Sequence, residues 1–328
     1  MYKNKTIAVV IPSYRVADHI GEVVASVPDW VDHIIAVNDA SPDTTAEVLA
    51  RMAQSNPRLQ VAHNAVNQGV GGAMATGFAC ALKMRADIVV KLDGDGQMDP
   101  ERMIDLVDPI AVGVCDYAKG NRFLHAGALR DMPNARLMGN IALTFLTKAA
   151  SGYWHVFDPQ NGYLAISAPY LSLLDLEHLR TRRYFFENEM LIRLNIESAR
   201  VLDCPMPAIY RGEISSLQIG KVLSYFPSLL VKGFFARLFQ RHILRDFSII
   251  VPLYLLGFLM TMFGTFFGGY VWIRGYMTGV LNPTGTVMLA VLPFILGIQF
   301  LLQGLTMEML LSPRVQSPPR DNNGPPLG

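Results

Sequence analysis

The sequence predicts an α/β fold built on a mainly parallel central sheet, followed by interfacial amphipathic helices and two C-terminal transmembrane helices. Three observations predict it. Short runs rich in Val and Ile alternate with helix-spaced segments over the first hundred residues. Glycines and acidic residues collect just past those runs. Two long stretches near the end carry no charge at all.

The apolar runs are "TIAVVIP" (6–12), "HIIAVND" (33–39), "LQVAHN" (59–64) and "DIVVKLD" (87–93), a βαβαβαβ pattern. Strands apolar on both faces belong to a parallel sheet covered by helices on each side, and ligands gather at the carboxyl ends of such strands. Pro12, Tyr14, Asp39, Asn64, Asn67, Asp93 and Asp95 all fall at or just past strand ends, so the polar residues share one rim.

From 221 the character changes. In "KVLSYFPSLLVKGFFARLFQRHILRD", Arg237, Arg241 and Arg245 stand four apart on one helical face among Phe234, Phe235, Leu238 and Phe239, as in a helix lying at a bilayer surface with its cations near anionic headgroups. Phe247 to Ile273 and Gly275 to Met307 contain no charged residue, and each run exceeds the roughly 20 residues that cross a bilayer. Tyr270, Trp272 and Tyr276 suit an interfacial belt. Transmembrane helices are expected at about 248–270 and 286–307. The resulting division is an α/β domain (1–220), juxtamembrane helices (221–247), a transmembrane hairpin (248–311) and a disordered Pro/Gly-rich tail (312–328). Basic residues crowd the first flank of the hairpin while its loop holds only Arg274, so the α/β domain and both termini are expected in the cytoplasm.

Composition narrows the function classes. The 328 residues include 28 basic and 27 acidic side chains, so no nucleic-acid footprint is present. Cys80, Cys115 and Cys204 lie in no CxxC spacing, which suggests neither a disulfide framework nor a zinc site.

The chemistry centres on "KLDGDGQMDP" (91–100). An EF-hand is excluded, since with Asp93 at position 1 the sixth residue is Met98 and the twelfth Ile104. Asp99 ahead of Pro100 reads as a helix cap. Asp93 and Asp95 can ligate a hard divalent cation that also takes a diphosphate, with Gln97 as a further oxygen donor and Gly94 and Gly96 admitting close backbone approach.

"VVIPSYR", "VNDASPDTT", "NQGVGGAMATG", "KLDGDGQMDP" and "KGNRF" resemble, in order and spacing, the family 2 glycosyltransferases of GT-A fold. Within these the chain is similar to the polyprenyl-phosphate glycosyltransferases, the group of dolichyl-phosphate mannose synthase and bacterial polyisoprenyl-phosphate glucosyltransferases. The resemblance implies that Pro12, Tyr14, Val37 and Asp39 line the nucleobase and ribose pocket, with a helix cap as the alternative for Asp39. Where the family usually has Asn-Glu after the tyrosine, this chain has Arg15 and Val16. It implies a Mg²⁺ or Mn²⁺ at Asp93, Asp95 and Gln97, and a lipid phosphate at Arg122 and Arg136. Asp158 in "FDPQNGYLAIS" is implied as base or orienting acid, Glu187 or Glu189 in "FFENEM" as a sugar contact, and Arg211 with Ser215 in "PAIYRGEISSL" as a mobile loop over the donor diphosphate. The partners implied are a UDP- or GDP-sugar, undecaprenyl or dolichyl phosphate and the bilayer, with self-assembly left open. The reaction the resemblance implies is inverting transfer to polyprenyl phosphate, with Asp95, Asp158 and Arg122 expected to carry it. The rivals are extension of a lipid-diphosphate-linked glycan and a non-catalytic nucleotide-sugar-binding membrane adaptor. A processive synthase would need a Q-x-x-R-W segment and more membrane helices.

Overall fold

A computed structural model of the chain describes residues 1–124, 134–206, 219–313 and 315. Strand and helix alternate through β1 (Ile7–Ser13), α1 (Ile20–Ala25), β2 (His33–Asn38), α2 (Thr45–Ser55), β3 (Leu59–His63), α3 (Gly69–Lys83), β4 (Ile88–Lys91) and α4 (Met103–Ala111). There follow β5 (Tyr117–Asn121), α5 (Asn134–Ser151), β6 (Leu164–Ser167), α6 (Ala168–Leu171), α7 (Leu176–Arg180), α8 (Phe186–Ile196), β7 (Val201–Pro205) and α9 (Ile219–Phe239). Two long helices, α10 (Ile250–Thr278) and α11 (Thr284–Leu310), complete it.

Because strand side chains alternate between faces, the β-branched run of β1 feeds two apolar layers at once. Ile7, Val9 and Ile11 pack with Val23, Leu49 and Leu106 of α1, α2 and α4. Ala8 and Val10 pack with Met74 and Phe78 of α3 and with Phe186 and Met190 of α8. Among the described residues the sheet has seven strands in the order β3-β2-β1-β4-β6-β5-β7. Chain order reverses direction between β1 and β4, the kind of switch point that opens a crevice at the strands' carboxyl ends. Only β6 runs antiparallel to its neighbours β4 and β5. Its leading turn therefore lies on the same rim that the other strands reach with their carboxyl ends.

The described residues divide into two compact units, those within 1–234 together with Pro313 and Val315, and Phe235–Ser312. The division falls inside α9 instead of at residue 220 because the first part of that helix is a core element. Phe226, Leu229 and Leu230 join Ala150, Phe185 and Ile192 in one apolar cluster. A side chain at Gly233 would come within 2.5 Å of Ile192 Cδ1.

In the second unit, α10 and α11 are long and apolar enough to cross a membrane. Small residues let them pack closely: a Cβ on Gly264 would lie 2.6 Å from Phe294 Cβ and 2.8 Å from the Ala290 carbonyl. The expectation that Arg237 shares an exposed cationic face is corrected here. Its side chain is fully buried and ion-paired with Glu308, whose Oε2 also accepts from the Tyr254 hydroxyl at 2.8 Å. A buried guanidinium is tolerated only with such a counter-charge.

Candidate active site

The rim collects the sequence-predicted residues from five strand ends. Pro12 and Val37 pair in register, which brings the ends of β1 and β2 level. Tyr14, 41% exposed, follows β1 with the Arg15 guanidinium 5.5 Å from its ring centre. Val37 departs from expectation. Its side chain is fully buried in the layer beneath α3, two residues on from Ile35 and on the same face, so that side chain lines no pocket on the rim.

Asp39 is also buried. Its carboxylate accepts from Asn64 Nδ2 at 2.8 Å, from the Gln68 amide at 3.0 Å and from the Gly69 amide at 2.7 Å. It thus satisfies free amides at the start of α3, where the helix dipole favours negative charge. That is the cap alternative left open by the sequence.

After β4, Asp93 and Asp95 are half-buried on the rim. Asp95 Oδ1 accepts from the Gln97 amide at 3.0 Å, tightening a turn in which Gly96 adopts φ of 73°. Gly94 has a different task from the one expected. A Cβ there would lie 3.3 Å from the Pro12 carbonyl and 3.2 Å from Ile20 Cδ1, so its bareness seats the turn against β1 and α1 instead of admitting a ligand. Asp99 caps the next helical turn through the Glu101 amide at 3.0 Å.

Two oxygen-donor carboxylates at a strand end, with an amide oxygen two residues on, suit the hard cations Mg²⁺ and Mn²⁺. Among the described residues no three His, Cys, Asp or Glu side chains converge on a metal position. The chain would then supply part of a coordination shell that a diphosphate and water complete.

Across the rim, Arg122 follows β5 and forms a fork with Asp158. Nε donates to Oδ2 at 2.8 Å and Nη2 to Oδ1 at 3.0 Å, while the Arg122 amide also donates to Oδ2 at 3.2 Å. Asp158 is 1% exposed, and both its oxygens are taken by Arg122. The pair of bonds fixes the plane of the Arg122 guanidinium. Asp203 of β7 braces both partners, its Oδ2 accepting from Asn121 Nδ2 at 2.8 Å and from the Phe157 amide at 2.7 Å, each one residue before a member of the fork.

Beneath the rim lie two buried lysines. Lys91 Nζ donates to Asp93 Oδ1 at 2.6 Å and stands 3.6 Å from Glu187 Oε1. Burial opposes its charge, but Asp93 and Glu187 outweigh burial and hold the ammonium above the ordinary lysine value. Lys119 donates to the Asn161 carbonyl; burial pushes it down to about 8, against the pull of Glu187 and Asp158. Between about pH 8 and about pH 10 the unfolded chain therefore keeps a proton that the folded chain has released, and raising the pH through that window favours the fold. Lys119→Met removes the effect. Paired unfolding measurements should show the wild type gaining on the variant by about 1 kcal/mol per pH unit across the window.

Glu187 thus faces the rim, whereas Glu189 does not. On α8 the two point to different sides, and Glu189 binds Arg193 at 2.8 Å, Arg182 at 3.2 Å and His178 at 2.9 Å. That ion cluster removes Glu189 as a sugar contact. Arg136 lies in α5, but its side chain is outside the described residues, as are Arg211 and Ser215 altogether. Lys91, Lys119 and Asp203 escaped the sequence reading, although a charge inside an otherwise apolar strand such as "IVVKLD" is a signal, since burial demands a partner.

This fold is GT-A-like, a mainly parallel sheet with helices on both faces, joined here to two apolar C-terminal helices. Residues 8–172 match the family described as Glycosyl transferase family 2, and the chain belongs to it. It is 31% identical over 221 residues to the UDP-N-acetylglucosamine–dolichyl-phosphate N-acetylglucosaminyltransferase of Methanococcus voltae, covering 63% of this chain and 87% of that one. It is 28% identical over 204 residues to the undecaprenyl-phosphate mannosyltransferase of Micrococcus luteus, covering 62% and 83%. Among solved structures, the glucosyl-3-phosphoglycerate synthase of Mycobacterium tuberculosis, in complex with Mn²⁺, UDP and glucosyl-3-phosphoglycerate, superimposes with a TM-score of 0.52 at 20% identity, over 71% of this chain and 80% of that one.

Proposed function

We propose that this enzyme transfers a sugar, with inversion, from a UDP- or GDP-sugar to polyprenyl phosphate at the cytoplasmic face of a membrane. The observation that carries the reading is the shared rim: Asp93 and Asp95 at one strand end and the braced Arg122–Asp158 fork at another. The two named relatives, whose acceptors are dolichyl phosphate and undecaprenyl phosphate, support the same acceptor class here. So do two helices long enough to keep a catalytic unit beside a lipid substrate.

Asp93, Asp95 and Gln97 would hold a Mg²⁺ or Mn²⁺, which when bound neutralises charge on the nucleoside diphosphate. Arg122 takes the acceptor phosphate, because a guanidinium matches phosphate oxygens and keeps its charge at any relevant pH. Asp158 fixes that guanidinium's plane. One phosphate oxygen attacks the anomeric carbon, and the bond to the diphosphate oxygen breaks with its electron pair leaving on the nucleotide. A phosphate monoester is already ionised near pH 7, so no side chain need remove a proton. Catalysis rests on positioning and on cancelling the repulsion of two anionic substrates.

The test is a panel of labelled UDP- and GDP-sugars with undecaprenyl phosphate and the full chain in detergent. A lipid-monophosphate sugar supports the reading. A product only from a lipid-diphosphate-linked acceptor would replace it with glycan extension, and binding of donor without transfer would replace it with the adaptor.

A further inference from the structure

Lys91 of β4 and Lys119 of β5 both pair in register with Leu164 of β6, so they flank the start of that strand at one level. Each ammonium binds a carbonyl of the turn leading into it: Lys119 that of Asn161, Lys91 that of Gly162 at 3.2 Å. The turn is bare at the point of contact, for a Cβ on Gly162 would lie 2.5 Å from Lys91 Nζ and 2.9 Å from Asp93 Oδ2. It begins at Asp158, whose carbonyl accepts from the Asn161 amide at 3.2 Å and whose carboxylate holds Arg122. Lys91 therefore touches the carboxylate on the donor side and the turn that carries the acceptor side. At 1% exposure its ammonium is buried, which is costly unless partners such as Asp93, at 2.6 Å, offset it.

We propose that Lys91 is a positioning residue for the transfer reaction, fixing the orientation of Asp93 and tying it to the 158–162 turn, so that the diphosphate and the acceptor phosphate meet at a set separation. The proposal rests on the glycosyl-transfer reading above. It assigns Lys91 no contact with either substrate.

The experiment measures Mn²⁺ binding to the full chain in detergent by the loss of the free-ion EPR signal, with UDP and with GDP present. Partners one shell out from a metal typically change affinity or activity about 10–100-fold when replaced. Lys91→Met is expected to weaken Mn²⁺ binding in the nucleotide complex by that factor and to lower kcat alike, with the KM for undecaprenyl phosphate little changed. Because this variant leaves Glu187 facing no ammonium from β4, Lys91→Met/Glu187→Gln serves as a charge-balanced companion and should show the same loss with a near-native thermal midpoint. Either variant, folded and binding Mn²⁺ as the wild type does, overturns the proposal and leaves the transfer reading intact. Loss of fold in both assigns Lys91 to stability alone and overturns it too. A wild type that binds Mn²⁺ with neither nucleotide overturns the transfer reading and the proposal with it.

Discussion

Asp95→Ala is expected to lower kcat by about 10³-fold, on the order of 4 kcal/mol of transition-state stabilisation. A carboxylate on a cation that offsets leaving-group charge acts most strongly as that charge develops, so the loss falls on kcat more than on donor KM. Alanine also removes the acceptor for the Gln97 amide and loosens the turn. Asp95→Asn keeps an oxygen for that amide and deletes only the charge. Initial rates of both variants over a Mg²⁺ and Mn²⁺ series separate the two effects, and the asparagine variant should lose nearly as much as the alanine one. Full wild-type activity in excess chelator would sink the metal reading altogether.

Arg122→Lys should cost about 10²-fold in kcat/KM for polyprenyl phosphate, and Arg122→Ala about ten times more. Lysine keeps the charge, but a single ammonium cannot bind both oxygens of Asp158 and still present a planar donor edge to phosphate. Asp158→Asn tests the partner. If the acid only orients Arg122, the variant is slower while its pH profile of kcat/KM keeps the wild-type shape. A vanished limb on the acid side of that profile would instead make Asp158 the base.

Of the strands before Asp99, β1, β2 and β4 were legible as Val and Ile runs buried on both faces, which have no other home in a small α/β domain, while the edge strand β3, of which Leu59 alone is buried, followed from the alternation of strand and helix. The strands after it were not. "YAKGN" and "VLDCP" each hold a charge, and Lys119 and Asp203 are accommodated only by partners on other strands and loops. Local pattern carries no information about such partners. The same limit explains Arg237, whose counter-ion Glu308 ends a helix that reads as uniformly apolar. Val37 is a different kind of miss. The alternation of β2 already placed it on the face of Ile35, so the family likeness prevailed over a periodicity visible in the sequence.

The reversed strand β6 has a consequence for anyone recombining this chain with relatives to alter its sugar or lipid. Its approach from Asp158 to Leu164 contains one residue gripped by Arg122, two carbonyls gripped by lysines and the first rung of a ladder shared by β4 and β5. Removing or adding one residue there would turn β6 over, since strand faces alternate, or else pull Asp158 off its arginine. Crossover points belong outside this segment, which can be exchanged only whole and at its present length.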